Sequence, residues 1–445
     1  MLFLQEFARY HSLRSIILIS SIILIHLIIS FVLVPKSNWK LPHFSFSFED
    51  ISSATSLDHI VFGIASNNVS WHIRKNYLRL WWKPKTMRGC VFLDHNTTSS
   101  DQDNLLPPLC MSRDTTNFLY AYKGGPRSAI RVRRGTYDDT VFFPENLVKV
   151  LSKYDYKLWY YIGSNSESFT QNSFFSFDMA YGGGGFAISY PLATNFSSCI
   201  NRYPGLYGSD ARITSCLAEL GVTLTKEPGF HQVDMRGDLF GLLAAHPVAP
   251  LISLHHLDIM NPIFPYMTSS MKALEHLYEA AEHDPQRIMQ QTVCYDRWFL
   301  WTVNVPLPYL LRAQKTFRPF QMDNYMNNYY NIDVREYEAD RCRRAVVFYM
   351  DQVSSSKRGE IQSVYRNNAL QSMYAKLIHA NCSRRLALPL KLEEIRVFSN
   401  KYNPSFKQLL APRRLCCEVL PSSRGKVMEI AVRECKDEEW TYMPS

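Results

Sequence analysis

Nothing in this sequence gathers its lysines and arginines into a block. The formal charge of +9 is the small excess of 49 basic over 40 acidic residues. Only the short clusters Arg131 to Arg134 and Arg341 to Arg344 stand out, and these read as solvated faces. A nucleic-acid partner is therefore not expected. Internal repeats and low-complexity tracts are absent, which argues against a solenoid or a disordered chain. No serine-hydrolase elbow, H-E-x-x-H pair or kinase signature occurs. What remains is an ordinary globular composition, 46% hydrophobic and 20% charged, over 445 residues. That length is generous for one compact domain and favours two.

A second absence is local. Ser15 to Val34 contains no Asp, Glu, Lys or Arg, over about the twenty residues needed to cross a bilayer as a helix. A cleaved signal has a shorter apolar stretch and a small-x-small cleavage pattern. The segment therefore reads as an uncleaved anchor, with His26 tolerated inside it as a neutral imidazole. All ten cysteines follow it, as do four N-x-S/T sequons at Asn68, Asn96, Asn195 and Asn381. Together they place the bulk of the chain in an oxidising, glycosylating lumen. The expected topology is single-pass type II, with residues 1–14 cytosolic, 15–34 the anchor and 35–57 a Ser/Phe/Pro-rich stem.

From Asp58 the pattern alternates. His59 to Ser66 reads as a buried strand, Trp71 to Trp82 as a helix with apolar residues three to four apart, and Met87 to Asp94 as a second strand. That βαβ unit implies a parallel sheet with helices packed on it. Further strands are expected at Leu158 to Ile162, Phe186 to Ser189 and Leu251 to Leu254, and a helix from about Asp210 to Leu220. Past about Leu310 the strands Val346 to Tyr349, Glu394 to Phe398 and Val427 to Val432 lie between loops, with five cysteines. A disulfide-stapled, β-rich region at 311–445 is expected. Adjacent Cys416 and Cys417 lack the C-x-x-C companion of a zinc site.

Four segments could carry chemistry. Asp138 and Asp139 precede an apolar run and suit a metal at a strand end, although such a pair is more often a turn or helix cap. Gly182 to Gly185 allow a ligand or backbone close approach, or are simply a flexible loop; they fit neither a P-loop nor a dinucleotide fingerprint. Asp210 opens the predicted helix, as an N-cap or as a general base. His255 and His256 could supply a metal ligand, or be polar surface.

Their order and spacing resemble the Fringe and β-1,3-galactosyltransferase family of inverting glycosyltransferases, above all its plant Fringe-related branch. The resemblance runs from about Asp58 onward through RKNYLRLWW, MRGCVFLD, ENLVKVLSKYD, YYIGSNSES, MAYGGGGFAISYPLA, CINRYPGLYGSD, GFHQ-D, GLLAAHPVAPLISLHHLD and RRLCCEVLP. It implies a GT-A (Rossmann-like) α/β fold over residues 58–310, a UDP-sugar donor, a glycan or glycoprotein acceptor, a manganese ion and a Golgi location. By position it implies Asp139 and His256 as metal ligands, with His255 the alternative to His256. Asp138 and Gly183, Gly184 and Gly185 fall beside the donor, and Asp210 at the general base. Two departures stand out. Tyr137 replaces the first residue of an Asp-Asp-Asp motif. Arg134 lies only four residues before Asp138, where the branch has roughly two dozen residues more, enough for one helix and a central strand. An inactive homologue acting as a luminal binding protein is the alternative reading.

Overall fold

A computed structural model describes residues 55–94, 103–112, 136–195, 202–237, 239–244, 249–296, 301–307, 309–314, 345–367 and 391–435, with isolated positions between them. The expected anchor at 15–34, most of the stem, Asn96, Asn381 and Cys382 lie outside the described residues. Within them, no helix is long and apolar enough to cross a membrane. Residues from Ile51 onward form one compact unit.

The expected βαβ unit is present. Strand β1 (Val61–Ala65) and strand β2 (Arg88–Leu93) pair in parallel, with Val61 opposite Arg88. Helix α1 (Asn68–Trp81) crosses between them. Asn67 starts that helix by accepting hydrogen bonds from the backbone N–H groups of Val69 and Ser70, which satisfies two of its orphan donors. Trp71, Leu78 and Trp81 recur at helical spacing and are buried. Trp81 packs against Phe62 and Phe142 at centroid distances of 5.5 and 5.2 Å. Each buried ring contributes about 3 kcal/mol of transfer free energy. Ser70 and Arg74, one turn apart, lie on the same face of α1 as this stripe, and they are the residues that matter for the site.

Strand β3 (Leu109–Met111) extends this sheet beyond β2, and the Cys90–Cys110 disulfide ties the two strands together. On the other flank, β4 (Thr136–Tyr137) pairs only with Ile64 and Ala65 of β1. The junction at Ile130 to Gly135 lies outside the described residues. Among the described residues, Val61 to Gly63 have no strand on that flank, and Val61 is 69% exposed. A one-turn linker then leads to β5 (Val141–Phe142). That strand belongs to a separate three-stranded sheet with β9 (Phe230–His231) and β10 (Ser253–Leu254), in the order β5-β10-β9. A third small sheet joins β6 (Tyr161–Gly163), β7 (Phe186–Ile188) and β8 (Leu224–Lys226), in the order β7-β6-β8. Helices α2 (Pro144–Leu151), α3 (Gly208–Glu219) and α4 (Ser270–His283) pack around these sheets. The expected helix from Asp210 to Leu220 is α3, pinned by a Cys199–Cys216 disulfide.

The β-rich region begins earlier than its sequence boundary at 311. Strands β11 (Gln290–Asp296) and β12 (Trp301–Leu307) pair into it, followed by β13 (Leu310–Gln314), β14 (Val346–Ser355), β15 (Glu360–Arg366), β16 (Glu394–Asn400), β17 (Cys416–Val419) and β18 (Val427–Arg433). The order is β11-β12-β13-β14-β15-β16-β18-β17. Its two end strands meet: Thr292 bridges Leu415, and Cys294 is disulfide-bonded to Cys417. The sheet therefore closes on itself, which removes exposed edges. Cys416 bonds instead to Cys435, because adjacent strand residues face opposite sides. The sheet shares one continuous hydrophobic cluster with the α/β part, from Phe62 through Leu274 to Ile430. That shared core is why the boundary was not visible as a linker.

Candidate active site

The four-glycine turn is the hub on which distant segments converge. Gly182 N–H donates to Asp210 Oδ2 at 2.8 Å. Thr140 Oγ1–H donates to the Gly183 carbonyl at 2.6 Å, and Gly184 N–H donates to Gln232 Oε1 at 2.9 Å. Ser253 Oγ–H donates to the Gly184 carbonyl. A Cβ on Gly183 would lie 2.2 Å from the His255 ring, and one on Gly182 would lie 2.6 Å from Asp210 Oδ1. Side chains at these positions would occupy the space where the carboxylate and the imidazole meet the turn, so glycine is required here for close approach.

Asp139, His255 and His256 bring one ligand atom each within 4.8 Å of one another. Both histidines, not one of the two, belong to this cluster; their ring centroids are 3.6 Å apart. His256 adopts a left-handed backbone, φ +58°, uncommon away from glycine and a local strain. It turns the second ring toward the first. His255 Nδ1 sits 2.9 Å from the Gln232 carbonyl, so Nδ1 carries the proton and Nε2 is left facing Asp139 Oδ1 at 3.1 Å. Asp139 Oδ1 is buried and has no aligned hydrogen-bond donor among the described residues. Two acceptors facing each other at that distance call for a proton or a cation between them. A carboxylate oxygen with two imidazole nitrogens is a donor set that borderline divalent ions accept, so the residues fit a metal.

Arg74 of α1 neutralises the remaining carboxylates. Its Nη1 lies 3.3 Å from Asp138 Oδ1 and 3.1 Å from Asp139 Oδ2, and Nη2 lies 2.7 Å from Asp258 Oδ2. Burial disfavours its charge, but Asp139, Asp138 and Asp258 outweigh that and hold the guanidinium above its ordinary value. The Ser66 and Ser70 hydroxyls donate to Asp138 Oδ2 at 2.5 and 2.6 Å. Asp138 fastens the start of α1 to the acidic loop. Burial raises its carboxyl despite the two serines. Burial would raise Asp139 as well, but the neighbouring His255, then Arg74 and His256, hold it at about 2. His255 goes the other way: burial lowers it, and Asp139 more than compensates.

Asp210 stands in the first turn of α3. Its carboxyl is raised, because burial outweighs the Gly182 N–H and the Ser209 hydroxyl that donates to Oδ1 at 2.9 Å. The structure thus brings Asp139, Gly182 to Gly184, Asp210, His255 and His256 together. Gly185 completes the turn with φ +83°, its N–H donating to the Gly182 carbonyl at 3.1 Å. Sequence reasoning assigned no role to Arg74, Ser66, Ser70, Thr140, Gln232 or Asp258. Arg74 and Ser70 are an i, i+4 pair on the same face of α1 as its apolar stripe. Asp258 lay unremarked at the end of HHLD.

A mixed α/β core that sets a buried carboxylate against paired histidines and a glycine turn defines a candidate metal-binding α/β protein. The chain belongs to the family described as "Protein of unknown function, DUF604", whose model matches residues 171–417, more than half of the chain. The match takes in the glycine turn, Asp210 and both histidines, and begins after Asp138 and Asp139. No curated protein matches the chain.

Proposed function

We propose that this protein is a metal-dependent, inverting glycosyltransferase that moves a hexosyl residue, of galactose or N-acetylglucosamine type, from a UDP-sugar to a hydroxyl of a glycan or glycoprotein. The observation that supports it best is the meeting of Asp210 and the Asp139–His255–His256 cluster on one glycine turn. A base and a cation site side by side are the two groups that such a transfer requires. Asp139, His255 and His256 would hold Mn²⁺, which would neutralise the diphosphate of a departing nucleotide. The GT-A fold, the Golgi membrane anchor and the β-1,3 linkage come to this reading from the Fringe-like motifs.

The chain's own groups perform the rest. Asp210, raised by burial, is a stronger base than a solvated carboxylate and takes the acceptor hydroxyl proton. The acceptor oxygen forms a bond to the anomeric carbon from one side while the bond to the diphosphate oxygen breaks on the other, with inversion. Gly182 N–H and the Ser209 hydroxyl hold the carboxylate in orientation. Gly183 leaves room for the His255 ring. Arg74 keeps the like charges of Asp138, Asp139 and Asp258 from repelling one another.

The test is UDP release by the purified full-length chain from UDP-galactose and UDP-N-acetylglucosamine, with and without Mn²⁺. Release that needs Mn²⁺ and is lost in Asp139→Ala is the expected result. A parent that binds UDP with Mn²⁺ and releases nothing would replace the enzyme reading with that of a luminal binding protein.

A further inference from the structure

Glu167, His231 and His246, from the segments YYIGSNSES, GFHQ-D and GLLAAHPVAPLISLHHLD, take no part in the chemistry just described, yet the fold brings them into one buried chain. Glu167 Oε1 lies 2.9 Å from His231 Nδ1, and His231 Nε2 lies 2.9 Å from His246 Nδ1. His246 Nε2 lies 2.9 Å from the Ala249 carbonyl. The other oxygen of Glu167 accepts the Val233 N–H at 2.8 Å. All four side chains, Glu167, His231, His246 and Val233, are buried.

The direction of each bond follows from what each atom can do. A carbonyl only accepts, so His246 donates from Nε2 and, as a neutral ring, accepts at Nδ1. His231 must then donate from Nε2. Its Nδ1 faces a carboxylate oxygen, so that contact also needs a proton. The chain therefore holds one proton more than a carboxylate and two neutral imidazoles, shared between His231 and Glu167. A buried charge is tolerated only when paired and hydrogen-bonded in this way.

What this pair grips is strained. Val233 has φ +57°, an outlier for a β-branched residue, and its N–H is held by Glu167. Glu167 thus clamps the residues on both sides of Gln232. Gln232 is the residue whose carbonyl accepts from His255 Nδ1 and whose side-chain oxygen accepts from Gly184. We propose that Glu167 and His231 are positioning residues that hold the left-handed backbone at Val233, so that Gln232 fixes the tautomer and orientation of His255 and the attitude of the glycine turn. This rests on the metal-site reading only in its consequence for Mn²⁺; the clamp on Val233 is independent of it. Groups that orient a ligating histidine through its second nitrogen ordinarily change metal affinity about 10- to 100-fold when removed.

The experiment compares the full-length parent with Glu167→Ala and Glu167→Gln. Glutamine can accept the Val233 N–H with its oxygen and donate to a neutral His231 with its amide, so it keeps both contacts without the extra proton. Hydrogen exchange over residues 230–234 is read without metal, and Mn²⁺ affinity by electron paramagnetic resonance titration. The expected result is faster exchange at Val233 and at least tenfold weaker Mn²⁺ binding in Glu167→Ala, with Glu167→Gln within about threefold of the parent on both measures. Parental exchange in a folded Glu167→Ala chain, or a tenfold loss in Glu167→Gln, would overturn the proposal. If Glu167→Ala does not fold, it is made in a Val233→Gly background, where glycine adopts the left-handed conformation unaided. Its added effect there should shrink to within about threefold, and a persisting tenfold effect would refute the role of Val233. A parent that binds no Mn²⁺ would sink the metal reading, and the exchange data would still decide the clamp.

Discussion

Replacing Gly183 by alanine adds one methyl group at the most crowded point of the site. Its Cβ would lie 2.2 Å from His255 Cε1 and Nδ1 and 2.6 Å from Gln232 Oε1, where ordinary contact begins at 3.4 Å. Gly183 is not among the residues with positive φ, so the cost is steric and not conformational. The imidazole would have to retreat by roughly 1 Å, and a displacement of that size at a reacting centre costs about 100-fold in rate. It has little freedom to do so. Nδ1 is tied to the Gln232 carbonyl, and the His256 ring stands 3.6 Å away. Overpacking of this kind costs about 1–3 kcal/mol of stability. Mn²⁺ titration, Mn²⁺-dependent UDP release and thermal unfolding of Gly183→Ala should show at least tenfold weaker metal binding, about 100-fold slower release and a modest fall in Tm. Gly205→Ala is the control, since a Cβ there meets nothing within 4 Å. A Gly183→Ala chain with parental Mn²⁺ affinity and rate would refute the placement of His255 against the turn.

Other outcomes follow from the same geometry. Asp210→Asn retains an oxygen for the Gly182 N–H but cannot take a proton, so UDP transfer should fall about 10²- to 10⁴-fold with Mn²⁺ affinity unchanged; a parallel loss of Mn²⁺ binding would count against the base assignment. Arg74→Ala strands Asp138 and Asp139, and with Arg74 itself 27% exposed the cost should be about 2 kcal/mol by denaturant titration. Arg74→Lys should recover only part of it, because one ammonium cannot span three carboxylates; full recovery would show that charge alone suffices. His246 is lowered from 6.5 to about 3 by burial and then by the charge of His231. The unfolded chain therefore binds a proton that the folded chain refuses, and stability should fall as pH drops from about 6.5 toward 3, by up to about 1.4 kcal/mol per pH unit. Chemical unfolding of the parent and of His246→Gln from pH 7 to pH 5 checks this, and equal slopes would contradict it. Cys294 and Cys417 are 123 residues apart, so replacing both by serine should cost about 4–5 kcal/mol in the chain-entropy account; an unchanged unfolding midpoint would show that the sheet stays closed without the bond.

Local pattern carried much of this. The stripe of Trp71, Leu78 and Trp81 and the apolar runs on either side gave a βαβ unit that the structure contains with the expected parallel pairing. The helix carrying Asp210 was equally plain from Ile213, Cys216 and Leu217, all of which are buried. The closed sheet was legible only in pieces. Its strands at 290–307 were counted with the α/β part, because pairing partners are set by contacts far apart in sequence and the two parts share one core. Of the candidate site, Asp139, the glycines, Asp210 and the histidine pair stood out as residue types in an order. Whether they met, and whether one histidine or both belonged, was not in that order. Asp138 shows the limit most clearly. Its type suggested a place beside a donor, and that its oxygens meet Ser66, Ser70 and Arg74 was not legible from type or order.

By itself the sequence determined the apolar stretch at Ser15 to Val34, the sequons, the cysteine supply and the periodicities of the elements. All of these are properties of neighbouring residues. The tertiary structure decided what depends on distance: the Cys294–Cys417 closure, the guanidinium of Arg74 among three carboxylates, and the facing of His255 Nε2 and Asp139 Oδ1. It also decided that Glu167 holds Val233 in a backbone that valine disfavours. Such contacts join segments tens to nearly two hundred residues apart. They exist only because burial of the shared core fixes the backbones that carry them.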